Sequence, residues 1–346
     1  MNIIQNDTKK YIYNKNILLF NGDIININDV KIGDKLMGHD SKPREVLDIK
    51  KQNMEIYKII PSRGEMYTVS KTHKLILVVN EQFDSFKKGD NIEMTVEEFL
   101  SLPKKNQRAL RIFKKDVEFD KNQIPIDSYL LGLWIGDPYH ISQESILESL
   151  SYIYSEVEHV LSKKFKSKNM VTTLETESDK EKFADILCEY NLLTESGDNK
   201  YIPLNFIVNT RKCRLNLLAG LLDVAGSFDI KGSSYEFKSK NERLIDDCIF
   251  LIRSLGFFAN KRIIKESGIF QNKRKILTSY KIIINGNITE IPCRILKKKF
   301  NKTENEKDSL TSNFHILFDK EDEYLEFTLD VDNKFLLSTF DVVSQS

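Results

Sequence analysis

Leu130-Leu131-Gly132-Leu133-Trp134-Ile135-Gly136-Asp137 and, 88 positions further on, Leu218-Ala219-Gly220-Leu221-Leu222-Asp223-Val224-Ala225-Gly226 decide how this chain is read. Each stretch is too apolar for a surface helix and falls short of the ~18 residues that cross a bilayer, so each reads as a buried helix. Gly132 and Gly136, four apart, lie on one helix face and permit close approach of a second backbone. One such stretch alone reads as an ordinary small-residue packing seam. Two at a fixed offset read as partners.

Outward from the second stretch, Tyr235 to Lys240 alternates at period two, placing Glu236, Lys238 and Lys240 on one face of a strand. Arg243 to Leu255 reads as an amphipathic helix with Gly256 capping its end, and residues 275 to 284 return to strand before Asn285-Gly286. After the first stretch, Ile146, Leu147, Leu150, Ile153, Val157, Val160 and Leu161 recur at helical spacing. The order helix, strand region, helix thus occurs twice between about 129 and 300, a pseudo-repeat. Residues 16 to 80 are short apolar stretches broken by turn residues, Thr95 to Leu102 reads as a helix stopped by Pro103, and Glu326 to Val343 is again β-like. The fold class is α+β, with β-rich ends bracketing an α+β middle.

The net charge is +1, but the charges are segregated. Residues 231 to 302 carry 17 Lys/Arg against 6 Asp/Glu, residues 303 to 346 carry 3 against 11, and residues 131 to 200 carry 7 against 13. A polyanion partner therefore points to the second half of the middle region, and repulsion from phosphate is expected of the first half. No hydrophobic targeting segment stands at the N-terminus, so an intracellular protein is expected, nuclear in a eukaryote, with no membrane partner. Cys188, Cys213, Cys248 and Cys293 are too few and too dispersed for a disulfide framework or a metal knuckle and read as packing residues.

The two apolar stretches resemble the paired motifs of the LAGLIDADG homing endonucleases. So do Ile124-Pro125-Ile126-Asp127-Ser128-Tyr129 and Lys200-Tyr201-Ile202-Pro203 before them, and Arg253-Ser254-Leu255-Gly256-Phe257 after the second. The outer segments resemble the Hint fold of inteins, above all the group of the yeast vacuolar-ATPase intein and the mating-type-switching endonuclease. That likeness rests on Asn16-Ile17-Leu18-Leu19-Phe20-Asn21-Gly22, Ile32-Gly33-Asp34-Lys35-Leu36-Met37-Gly38, Lys42-Pro43-Arg44, Val69-Ser70-Lys71-Thr72-His73, and Lys334-Phe335-Leu336-Leu337 through Val342-Val343. The resemblance implies an all-β Hint domain over 10–116 plus 304–346, interrupted by a LAGLIDADG domain over 117–303. The latter would have pseudo-twofold repeats at about 129–200 and 201–303, and the protein would be a monomer with an internal pseudo-dimer.

The resemblance also implies a double-stranded DNA partner and Mg2+ held by a carboxylate from the eighth position of each motif. Here those positions are Asp137, the expected catalytic and metal-binding residue, and Ala225, which offers no ligand. Asp223 and Asp229 are possible substitutes, although the sixth position of a helix points away from the eighth. Lys298, with Lys297 and Lys299 beside it, falls where the family has a lysine supporting the metal. The DNA face is expected from Lys238, Lys240, Arg243, Arg274, Lys275, Lys281, Lys297 and Lys299. Of the splicing residues, the nucleophile position holds Lys10, the internal histidine survives as His73, and the terminal His-Asn pair is replaced by Ser344 and Gln345. Without a nucleophile, splicing is not expected, and His73 reads as a retained core histidine. The leading expectation is a DNA-binding protein, splicing-incompetent and impaired in cleavage. A site-specific endonuclease or nickase, and a Hint-derived autoprocessing or interaction module, are the alternatives.

Overall fold

The computed structural model describes residues 16–136, 183, 185–192, 200–229, 233–270, 273–294 and 310–344. They fall into two compact units, one within 1–115 and 311–346, the other within 116–310.

The first unit is built from strands β1 (Asn16–Leu18), β2 (Ile24–Asn26), β3 (Lys35–Met37), β4 (Pro43–Pro61), β5 (Tyr67–Ser70), β6 (Lys74–Val79), β7 (Asn91–Thr95) and β8 (Leu110–Phe113). To these the C-terminal part adds strands at Thr311–Ser312, Phe314–Leu329, Lys334–Leu336 and Val342–Ser344. Two short helices, α1 (Val96–Ser101) and α2 (Lys104–Ala109), intervene. Helix α1 starts where the sequence encodes a capping box: Glu98 N donates to Thr95 Oγ1 and Thr95 N donates to Glu98 Oε2. The strand at Phe314–Leu329 pairs antiparallel with β4 from Phe314 opposite Pro61 to Leu329 opposite Val46. This pairing corrects the sequence reading, which saw only short stretches here and placed the onset of the C-terminal β region at Glu326. The run Lys50-Lys51-Gln52-Asn53 carries no hydrophobic alternation because both faces of the pair are open there. The core joins Ile17, Leu36, Val46 and Leu77 to Phe327, Phe335 and Val343. Lys114 Nζ donates to Asp341 Oδ2 at 2.5 Å and to the Thr339 carbonyl at 2.9 Å, tying the end of β8 to the C-terminal part.

The second unit contains helices α3 (Ser128–Gly136), α4 (Leu204–Ile207), α5 (Arg211–Ala225) and α6 (Glu242–Ser254). Its sheet has four antiparallel strands, β9 (Gly226–Asp229), β10 (Ser234–Ser239), β11 (Phe258–Phe270) and β12 (Lys273–Asn285), in the order β11-β12-β10-β9. The sequence shows β10, part of β12 and α6. It hides β11, because Phe258-Ala259-Asn260-Lys261-Arg262-Ile263-Ile264 mixes apolar and charged residues in both phases. Gly256 ends α6 with φ +82°, as its position predicts. The Ile146–Leu161 helix lies outside the described residues.

Helices α3 and α5 form a seam at the centre of this unit. A Cβ on Gly132 would lie 2.2 Å from the Leu217 carbonyl oxygen and 3.0 Å from Leu221 N. A Cβ on Gly220 would lie 2.2 Å from the Tyr129 carbonyl oxygen and 2.9 Å from Leu133 N. The two sets of contacts are the same under the 88-position offset, so the seam has a local twofold relationship. Gly136 also meets Leu221, so contacts advance together along both helices and their C-terminal ends lie at the same end of the seam. Fully buried Arg214 positions the start of α5 by donating to the carbonyls of Asn209, Ser254 and Val117. Burial lowers its guanidinium to a pKa of about 10, still charged at neutral pH.

Candidate nucleic-acid interface

One face of the β9–β12 sheet packs on the helices. Tyr235 and Phe237 of β10, Ile282 and Ile284 of β12, and Ala259 of β11 are buried there. The alternate residues lie on the other face by the period of the strand. Lys238 is paired in register with Lys281, and Lys281 with Arg262, so three cations form one row across β10, β12 and β11. Like charges directly opposite one another are destabilising in a sheet. Part of that cost is offset by Glu236, whose Oε1 lies 2.5 Å from Lys281 Nζ. Lys238 and Arg262 stay exposed.

The other expected DNA contacts are placed differently. Lys240 is exposed just beyond the end of β10. Arg243 belongs to α6, whose apolar side packs under the buried face of the sheet, and its guanidinium stacks 4.2 Å from the centroid of Tyr201. It does not join the row. Arg274 and Lys275 occur in β12, but their side chains, like Lys297, Lys298 and Lys299, lie outside the described residues. Arg262 was absent from the sequence reading, because its place opposite Lys281 follows from a strand that the sequence did not reveal.

At the C-terminal end of the seam, Ala225 is the last residue of α5 and brings no donor atom. Asp137 lies outside the described residues. Asp223 is only 2% exposed, and its Oδ2 accepts from Tyr129 Oη at 2.9 Å and from Arg294 N at 2.7 Å. The Arg294 guanidinium lies 3.6 Å from the Tyr129 ring centroid and closes this cluster. Burial and the adjacent carboxylate push the Tyr129 hydroxyl well above its usual pKa, so it remains a donor. Asp223 is thus engaged in packing the two motif helices to the segment after Cys293. Asp229, at the end of β9, is exposed. Among the described residues no three His, Cys, Asp or Glu side chains gather to hold a metal. The described side chains at the seam do not fit a divalent-metal site.

In the first unit, His73 follows β5 and is 3% exposed. Its Nδ1 has no hydrogen-bond partner and burial lowers its pKa to about 3, so the ring is neutral. It lines a cavity of about 170 Å³ with Tyr67, Val69, Tyr324, Phe335 and Val343. Ser344 is buried and pairs with Lys74, the residue after His73, so two of the positions that the resemblance singles out come near each other. Lys10 and Gln345 lie outside the described residues. The four cysteines are free, Cys188 exposed and the others buried. No described helix is long and apolar enough to cross a membrane.

No curated protein shows significant sequence similarity to the chain. Among solved structures, the gp41-1 intein aligns at 19% identity and TM-score 0.22, over 30% of this chain and 66% of its own, so the chain spans just under two thirds of that intein. A variant of the homing endonuclease I-DmoI, in complex with its target DNA and in the presence of manganese, aligns at 16% identity and TM-score 0.21, over 46% of this chain and 86% of its own. Residues 12–124 match the family described as Hom_end-associated Hint, so the likeness to that family covers this stretch of the chain.

Proposed function

We propose that this chain is a homing-endonuclease-like protein of intein descent that binds double-stranded DNA and neither splices nor cleaves efficiently. The observation that carries the reading is the in-register row Lys238, Lys281 and Arg262 on the open face of the sheet. Repulsion within the row works against folding, and a polyanion relieves it. Impaired cleavage is supported by Ala225 and by the engagement of Asp223 in the Tyr129–Arg294 cluster. Loss of splicing is supported by Lys10 at the nucleophile position and by Ser344 and Gln345 at the C-terminal pair. The protein acts as an intracellular monomer, nuclear in a eukaryote, and any residual cleavage by Asp137 depends on Mg2+.

The test is an electrophoretic shift assay with duplex DNA at rising salt. Saturable binding that weakens steeply between about 50 and 200 mM salt, and is lost in a Lys238→Glu, Arg262→Glu variant that still folds, is the expected result. Absence of saturable, salt-sensitive binding by the native chain overturns the reading. Cleavage is examined with Mg2+ on DNA bound by the protein, comparing the native chain with Ala225→Asp. Cutting by the variant alone supports a lost ligand position, whereas a mapped nick made by the native chain establishes the nickase alternative.

A further inference from the structure

Among the described residues, the cationic face lies in the half of the middle region that follows the second motif. Strands β11 and β12 are 13 residues each, a length of ~43 Å at ~3.3 Å per residue, against ~34 Å for one turn of duplex DNA. Ile263 is 60% and Ile276 68% exposed, although both are in phase with the buried side of the sheet. The hairpin therefore runs on past the helices that cover its base, as a two-stranded ribbon open on both faces. A ribbon of that kind is one of the shapes that the major groove admits.

Residues 231 to 302 have an excess of eleven bases, while residues 131 to 200, which contain the first motif, have an excess of six acids. At physiological salt a net negative surface repels phosphates lying within a Debye length of ~8 Å. We infer that the chain engages a half-site: about one turn of duplex held by the β10–β12 face, with no phosphate contacts from the half that contains the first motif. This inference rests on the DNA-binding reading above.

Duplexes selected from a random library with the full chain supply the test. Each selected duplex is footprinted with hydroxyl radicals and shortened stepwise while its Kd is followed by fluorescence anisotropy. One protected block of about 10 bp is expected, with Kd held within about twofold down to ~14 bp. The log–log salt slope is expected near −3 to −4, falling in magnitude by about 1 for Arg262→Ala. Two protected blocks about a turn apart, or a tenfold loss of affinity between ~24 and ~14 bp, overturn the half-site and leave DNA binding intact. Failure to select any duplex overturns the DNA-binding reading itself.

Discussion

Gly132 and Gly220 hold equivalent places across the helix seam: a Cβ on either would stand 2.2 Å from a carbonyl oxygen three residues before the other. Backbone, rather than a movable side chain, occupies the space each glycine leaves. Substituting alanine gains about 1 kcal/mol of helix propensity but requires the helices to separate. Gly132→Ala and Gly220→Ala are each expected to destabilise the protein by about 3 kcal/mol or more in urea unfolding. Gly136→Ala, with its nearest contact at 3.0 Å, should cost distinctly less. The Gly132→Ala, Gly220→Ala pair should cost less than the sum of its parts, because the first substitution already opens the seam. Equal effects at all three glycines would contradict the described packing.

The cross-strand row predicts a separation of stability from binding. Replacing Lys238 or Arg262 with alanine removes a repulsion and should leave the unfolding midpoint unchanged or slightly raised. Each should also lower the magnitude of the DNA salt slope by about 1. Glu236→Gln frees Lys281 from its ion pair and should tighten DNA binding at low salt. Tighter binding by the lysine or arginine variants would show that the row faces something other than phosphate.

Asp223 holds two donors from separate parts of the second unit. Asp223→Ala leaves the Tyr129 hydroxyl and the Arg294 amide without that acceptor and should cost about 2–4 kcal/mol. Asp223→Asn keeps an acceptor oxygen and should be milder. Calorimetric melting of the three proteins measures the order, and an Asp223→Ala protein as stable as the native chain would mean that the cluster does not support the seam.

His73 imposes a pH dependence of definite sign. Its folded-state pKa is lowered to about 3 from an unfolded value of 6.5, so below 6.5 the unfolded chain binds a proton that the folded ring does not accept. The contribution is fully present above pH 6.5 and is lost progressively as pH falls toward 3. Between pH 6.5 and 5 the loss is roughly 2 kcal/mol. His73→Gln should flatten this part of the profile of unfolding free energy against pH, and an unchanged slope would place the sensitivity elsewhere.

What the sequence discloses depends on how local its cause is. The motif helices, the Thr95–Glu98 capping box and the Gly256 cap each follow from residues within one or two helical turns. Strand β11 and the full length of β4 do not, because their residues are set by partners far along the chain and lie open on both faces. The same difference divides the candidate interface. Lys238 and Lys281 are visible in alternating strands, whereas Arg262 acquires its meaning from its register against Lys281. Arg243 looks equivalent in composition, yet its helix carries it to Tyr201. Asp223 reads as a spare carboxylate until its hydrogen bonds to Tyr129 and Arg294 are seen.

The seam depends on the third residue of each motif, and the position at which a metal ligand would be delivered is the eighth. Whatever occupies that last position, the two backbones still meet at Gly132 and Gly220. A scaffold arranged this way holds its packing independent of the side chain at the eighth position. Such a chain keeps a folded, charge-bearing sheet whether or not the eighth positions carry carboxylates.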